Sequence, residues 1–214
     1  FVKEELEIFG GPLYMPETVL ETDMEKTSVS SDVKTLSEFN NVIENCMNCP
    51  LGATRTNFVF GAGNPDADVM FVGEAPGEKE DLEGLPFVGR SGKLLTDILK
   101  AIDLTRDDVY IANILKCRPP KNRDPNKAEI EECEPYLLKQ IEMIKPKLLV
   151  ALGRISATTL LRTKDSLTSM RGQVFDYHGT DMVVTYHPAA LLRNPNWKRP
   201  AWEDFKKIRE MYLE

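Results

Sequence analysis

Only two histidines and four cysteines occur among the 214 residues, and no long apolar run is present. No stretch approaches the ~20 consecutive apolar residues of a membrane helix, so no membrane partner is expected. The start, FVKEELEIFGG, has no basic segment ahead of an apolar one. No signal peptide is expected, and the location reads as cytoplasmic. Internal repeats are missing as well. Neither HExxH nor the H-x-E…P-C-x-x-C of zinc deaminases appears, which disfavours hydrolysis by histidine-ligated zinc. The dinucleotide fingerprint G-x-G-x-x-G is absent after the first apolar strand. GRSGKLL (89–95) imitates the end of a phosphate loop, but Pro86-Phe87-Val88 stand where its leading glycine is needed and Leu94 replaces Ser/Thr.

An excess of positive charge is also lacking, since the net charge is −7. The deficit is local. Residues 1–33 hold eight acids against two bases, −6 of the total, which leaves −1 for the rest. Two basic stretches, KCRPPKNRDPNK (116–127) and RNPNWKR (193–199), keep a nucleic-acid partner open, because local patches make phosphate contacts. Residues 1–33 read as an acidic N-terminal extension, poorly periodic, with 34–214 as one catalytic-sized domain.

Periodicity organises that domain. Leu36, Phe39, Val42 and Ile43 fall at helical spacing ahead of Cys46. FVF (58–60) suggests a short strand, and VMFV (69–72) a buried one. SGKLLTDILKAIDL (91–104) predicts an amphipathic helix capped by Ser91. VYIANIL (109–115) predicts a strand, and DPNKAEIEECEPYLLKQIEMI (124–144) a helix entered through Asp-Pro. KLLVALG, then ISATTLLR, predict another strand and helix, and QVFDY with MVVTY a hairpin across HGTD. Strands alternating with helices imply a parallel sheet covered on both faces, with ligands beyond the strands' carboxyl ends. GEAPG (73–77), Asn113 and YHP (186–188) are polar stops at three such ends and should share one rim.

Cys46 and Cys49 form C-x2-C, with Cys117 after a strand and Cys133 on a helix. Two further cysteines beside a C-x2-C suggest thiolate ligation of zinc or of an iron–sulfur cluster, which the spacing does not separate. The plainer alternative is a helix-end pair plus two core cysteines. His178 sits in an expected turn. His187 ends a buried strand, either as a structural residue or as a donor to a ligand. Phe87, in a Gly/Pro-rich loop, is either a core plug or a ring for stacking on a flat heterocycle. LLRNPNWKR (191–199) sets Leu191 and Leu192 beside Arg193, suiting either a solvated helix end or a wedge into DNA.

Taken together, CMNCPL (46–51), GEAPGEKEDLEGLPFVGRSGKLL (73–95), VYIANILKCRPPKNRDP (109–125) with Cys133, LGRISA (152–157) and YHPAALLR (186–193) resemble the family 4 uracil-DNA glycosylases. The resemblance spans 46–202. It implies a three-layer α/β/α fold with a central four-stranded parallel sheet. It also implies a [4Fe–4S] cluster on Cys46, Cys49, Cys117 and Cys133, structural rather than redox-active. Phe87 would stack on an extruded uracil, the Asn113 amide would read its polar edge, and Gly73 and Ala75 would line the base. His187 would donate to uracil O2. Leu191, Leu192 and Arg193 would meet the DNA.

In the best-known branch of the superfamily an aspartate occupies the position of Ala75, so Glu74 is the candidate for orienting water or stabilising the cationic sugar, with Glu80 and Asp81 supporting or solvated. The implied activity is hydrolysis of the N-glycosidic bond of uracil in single- and double-stranded DNA by a monomer, leaving an abasic site. PPKNRDPNK carries no DNA-trapping histidine, so ordinary turnover is expected. The rival classes are a non-catalytic nucleic-acid-binding module and an electron-transfer protein. A different base specificity is the nearest alternative.

Overall fold

Val69–Val72 are buried at every position, which requires helices on both faces of their sheet. A computed structural model, describing residues 33–213, has that arrangement. The expected extension over 1–33 falls outside the described residues except for its last position.

Six strands form one sheet: β1 (Ala62–Gly63), β2 (Val69–Gly73), β3 (Tyr110–Asn113), β4 (Leu148–Leu152), β5 (Val174–Tyr177) and β6 (Thr180–Thr185). Their order is β1-β3-β2-β4-β6-β5. The centre, β3-β2-β4-β6, is parallel, and β1 and β5 pair antiparallel at the edges. The expected four-stranded parallel sheet is therefore the middle of a mixed six-stranded one. β5 joins by a two-residue turn, His178-Gly179, with φ of 52° and 83°, a geometry that matches strand twist. FVF (58–60) is not a strand. Val59 donates to the Lys116 carbonyl at 2.8 Å, and the chain then bends at Gly61 and enters β1 at Ala62.

The described helices are α1 (Leu36–Ile43), α2 (Glu78–Glu83), α3 (Arg90–Ala101), α4 (Lys127–Ile144), α5 (Arg154–Leu160), α6 (Leu167–Met170), α7 (Pro188–Arg193) and α8 (Lys198–Leu213). Alternate strand residues face opposite layers. Met70, Val72, Ala112 and Leu149 pack with Phe39 of α1, Leu137 of α4 and Leu160 of α5. Phe71, Ile111 and Val150 pack with Leu95 and Leu99 of α3 and Phe205 of α8. Apart from Ala112, each such side chain contributes about 1.5–3 kcal/mol by leaving water. Among the described residues no helix is long and apolar enough to cross a membrane.

Two helix starts differ from expectation. Gly89, not Ser91, is the N-cap of α3, and Ser91 lies inside the first turn. The helix begins so early because Glu80 takes the N–H groups of Val88 and Gly89 at 2.9 and 2.8 Å. α4 starts after Asn126 rather than at Asp124-Pro125, and Glu129 accepts the Asn126 N–H at 2.8 Å.

Candidate active site

A cleft of about 680 Å³ opens at the carboxyl ends of the parallel strands, and Glu74, Asn113 and His187 all line it. Parallel pairing explains the convergence. Gly73 of β2 stands opposite Asn113 of β3, and Ile114 and Leu115 continue the ladder onto the Gly73 and Glu74 carbonyls at 3.0 Å. The backbone of Glu74 is thereby pinned one residue beyond the strand.

Gly73 has no room for a side chain. A Cβ there would lie 2.7 Å from Phe87 Cζ and strike Asn113 Oδ1. At Gly77 it would meet Glu80 Oε2 at 2.7 Å. These glycines make space for the protein's own groups around the cleft, and that contact is sufficient reason for them.

Asn113 is 2 % exposed, and its Oδ1 is buried without a hydrogen-bond partner. Such an atom is disfavoured by roughly 1–3 kcal/mol until something donates to it. Phe87 sits in the left-handed region at φ 52°, its ring centroid 5.3 Å from that of His187. Sequence reading missed what holds it there. Arg106 donates to the Pro86 and Phe87 carbonyls at 2.7 and 3.0 Å, and Glu80 clasps the following two N–H groups. Glu80 and Asp81 are buried, not solvated; Asp81 accepts the Thr56 N–H at 2.9 Å.

His187 is the N-cap of α7, and its Nδ1 accepts the Ala189 N–H at 3.1 Å. Burial lowers its pKa to about 4, helped by the Arg193 charge and opposed by Glu80. At neutral pH the ring is uncharged, and with Nδ1 accepting, its proton lies on Nε2. Glu74 is half-buried. Burial, then the charge of Asp124, raises its carboxyl to about 7, against the pull of Arg154 and Arg193. Asp124 and Arg154, 3.7 Å apart, also line the cleft and were not singled out from the sequence. Ala75 lines the cleft without offering a base.

The suspected DNA-facing residues separate. Leu191 is 1 % exposed and packs with Tyr186 and Ala201, so it has no surface to offer a partner. A six-residue helix turns successive residues to different sides, which leaves Leu192 38 % exposed and Arg193 in the cleft wall. Trp197, stacked on Tyr186 at 5.0 Å, lines the same cleft.

The four cysteines form no disulfide, and Cys117 and Cys133 lie in, with Cys46 and Cys49 against, the hydrophobic cluster that holds Met70, Val72 and Ala112. Tyr136 donates to Cys46 Sγ at 3.2 Å, Arg55 to Cys117 Sγ at 3.4 Å and the Lys116 N–H to Cys133 Sγ at 3.2 Å. Burial raises both buried thiols, Cys133 to about 12, and Cys117 and Cys133 each feel Cys49. Among the described residues no three His, Cys, Asp or Glu converge on one metal-ion position. Lys116, fully buried, links this cluster of thiols to the cleft. Burial lowers its pKa to about 8.

The family model described as the uracil DNA glycosylase superfamily matches residues 60–206. A type-4 uracil-DNA glycosylase of Sulfurisphaera tokodaii is 50 % identical over 187 residues, 83 % of this chain and 85 % of that one. One from Archaeoglobus fulgidus is 44 % identical, covering 84 % and 94 %. One from Thermotoga maritima is 46 % identical, covering 78 % and 89 %. The matched region carries every strand end that walls the cleft, and with relatives this similar over most of their length, the chain belongs to the uracil-DNA glycosylase superfamily, in its type-4 branch.

Proposed function

We propose that this chain is a DNA-repair enzyme that hydrolyses the bond between uracil and deoxyribose, in single- and double-stranded DNA, and leaves an abasic site. One observation carries the reading: a buried, unpartnered amide oxygen, a neutral histidine with a free Nε2–H and a poised carboxylate face one cleft. A flipped uracil would offer its N3–H to Asn113 Oδ1, a donor that cytosine lacks at that position. The Phe87 ring supplies a stacking face for the base.

Breaking the C1′–N1 bond leaves the electron pair on uracil and positive charge on the sugar. His187 Nε2–H would stabilise the negative charge on O2 without giving up its proton. Glu74, as carboxylate, would orient water toward C1′ and take its proton as the new C–O bond forms. Exposed Leu192, with Arg193, would fill the gap left in a duplex and meet phosphate.

Cys46, Cys49, Cys117 and Cys133 would hold a [4Fe–4S] cluster. Four thiols, three of their sulfurs receiving N–H or O–H bonds, suit a thiolate-bound group. Sulfurs around a single zinc would close to roughly 3.8 Å of one another, and among the described residues no three such ligands share one ion position. Bound, the cluster would cross-link the segment before β2, the loop after β3 and α4.

The test is incubation with a uracil-containing oligonucleotide followed by alkali, with a visible spectrum of the same preparation. Strand scission confined to uracil, from coloured protein, is expected. Binding of the oligonucleotide without scission would overturn the enzymatic reading.

A further inference from the structure

Lys116 takes no part in the chemistry above, yet its environment is unusual. The side chain is 0 % exposed. Its ammonium donates to the Asn113 carbonyl at 2.8 Å and to Gln140 Oε1 at 2.6 Å. Gln140 is held in turn, its Nε2 donating to the Phe60 carbonyl at 2.9 Å. These acceptors are all neutral. The Lys116 N–H itself meets Cys133 Sγ at 3.2 Å, and Cys117 is the next residue in the chain. An ammonium buried among neutral acceptors is strongly disfavoured unless negative charge lies nearby. Four thiolates around metal supply that charge, whether the metal is one zinc or several irons.

The same ammonium grips Asn113 by its main chain, three residues back, at the end of β3. The Asn113 side chain is the one with the open Oδ1. A chain of contacts therefore runs from Cys133 through Lys116 to the residue that meets the base.

We propose that Lys116 is a positioning residue for uracil excision: a buried cation that the cysteine-held cluster stabilises and that fixes the Asn113 backbone at the base pocket. Buried charge at this position makes cluster and pocket interdependent, since loss of one leaves the other without its partner. The proposal rests on the cluster and activity read above, and the wild-type protein reports on those separately, through uracil excision and bound iron.

The decisive variant is Lys116→Met, which keeps length and removes charge, made in the full metal-loaded chain. Measured quantities are bound iron, the cluster's reduction potential, and kcat and KM on a single-stranded uracil oligonucleotide. Expected are wild-type iron, a more negative potential, kcat at least tenfold lower and KM within threefold. Wild-type kcat with iron retained overturns the proposal, whatever the potential does.

Should Lys116→Met lose iron or fail to fold, Gln140→Leu keeps the ammonium and removes its second acceptor. It is expected to retain iron and lower kcat three- to tenfold at unchanged KM. Wild-type kcat there, or failure of both variants to fold with metal, leaves Lys116 a merely structural residue and overturns the proposal. If active wild-type protein holds zinc, the iron–sulfur assignment fails while the kcat and KM split still decides Lys116.

Discussion

His187 Nδ1 accepts the Ala189 backbone N–H at 3.1 Å, and this bond fixes which ring nitrogen carries the proton. The cap holds the ring in one tautomer, with Nε2–H as a donor. Because burial lowers the pKa to about 4, no titration of His187 should shape activity above about pH 5. His187→Ala is expected to lower kcat by about 10²–10³-fold, the usual loss of one donor to a developing oxyanion. DNA affinity should change far less, as a binding titration would show.

Glu74 should set the pH dependence. Its carboxyl is raised to about 7 in the folded protein, so the carboxylate proposed to orient water is lost as pH falls through that value. Activity should rise with pH through about 7 in the wild type and lose that limb in Glu74→Gln, with kcat down about 10²-fold or more. The linkage has a definite sign. Between the unfolded value near 4.5 and the folded value near 7, the native state binds more protons, so stability falls as pH rises. Glu74→Gln should therefore raise Tm at pH 8 and not at pH 4.

Asn113→Ala separates function from stability. The amide oxygen has no partner in the free protein, so removing it relieves a penalty of about 1–3 kcal/mol. That gain opposes the small cavity left behind. Uracil excision should fall by about 10²-fold or more while the urea midpoint stays close to wild type.

Gly73→Ala should fail for a steric reason. The new methyl would lie 2.7 Å from Phe87 Cζ and press on Asn113. Overpacking of this kind is destabilising by about 1–3 kcal/mol, and both displaced groups line the cleft proposed to hold the base. Loss of activity exceeding the loss of stability is the expected pattern in paired kinetic and melting measurements.

Leu191 and Leu192 should give opposite phenotypes. Leu191→Ala empties a core site and should cost about 2–5 kcal/mol of stability. Leu192→Ala, at an exposed site, should leave stability within about 0.5 kcal/mol of wild type. It should slow excision from duplex more than from single strands, because a duplex alone has to be held open.

Much of this molecule is written locally. The buried run VMFV, the strand–helix alternation and the polar stops at GEAPG, Asn113 and YHP are enough to bring those stops to one cleft, because strand ends in a parallel sheet share one edge. The cysteine spacing likewise suggests the thiolate site proposed above. The extra edge strands were harder to read, since β1 is two residues long and owes its pairing to β3.

Other features arise only when distant segments meet. Gly73 looks like a glycine for a ligand until Phe87 and Asn113 are seen to occupy its missing side chain. Glu80 reads as one acid among several until its carboxylate closes on Val88 and Gly89. Lys116 looks like one of a basic stretch, yet it is fully buried beneath Asn113 and against Cys133. Periodicity along the chain determined the sheet and its rim, since side-chain direction follows from local backbone geometry. Tertiary contact decided which glycine is obligatory, which leucine faces solvent and which ions are buried, because clash, exposure and desolvation depend on neighbours far away in the chain.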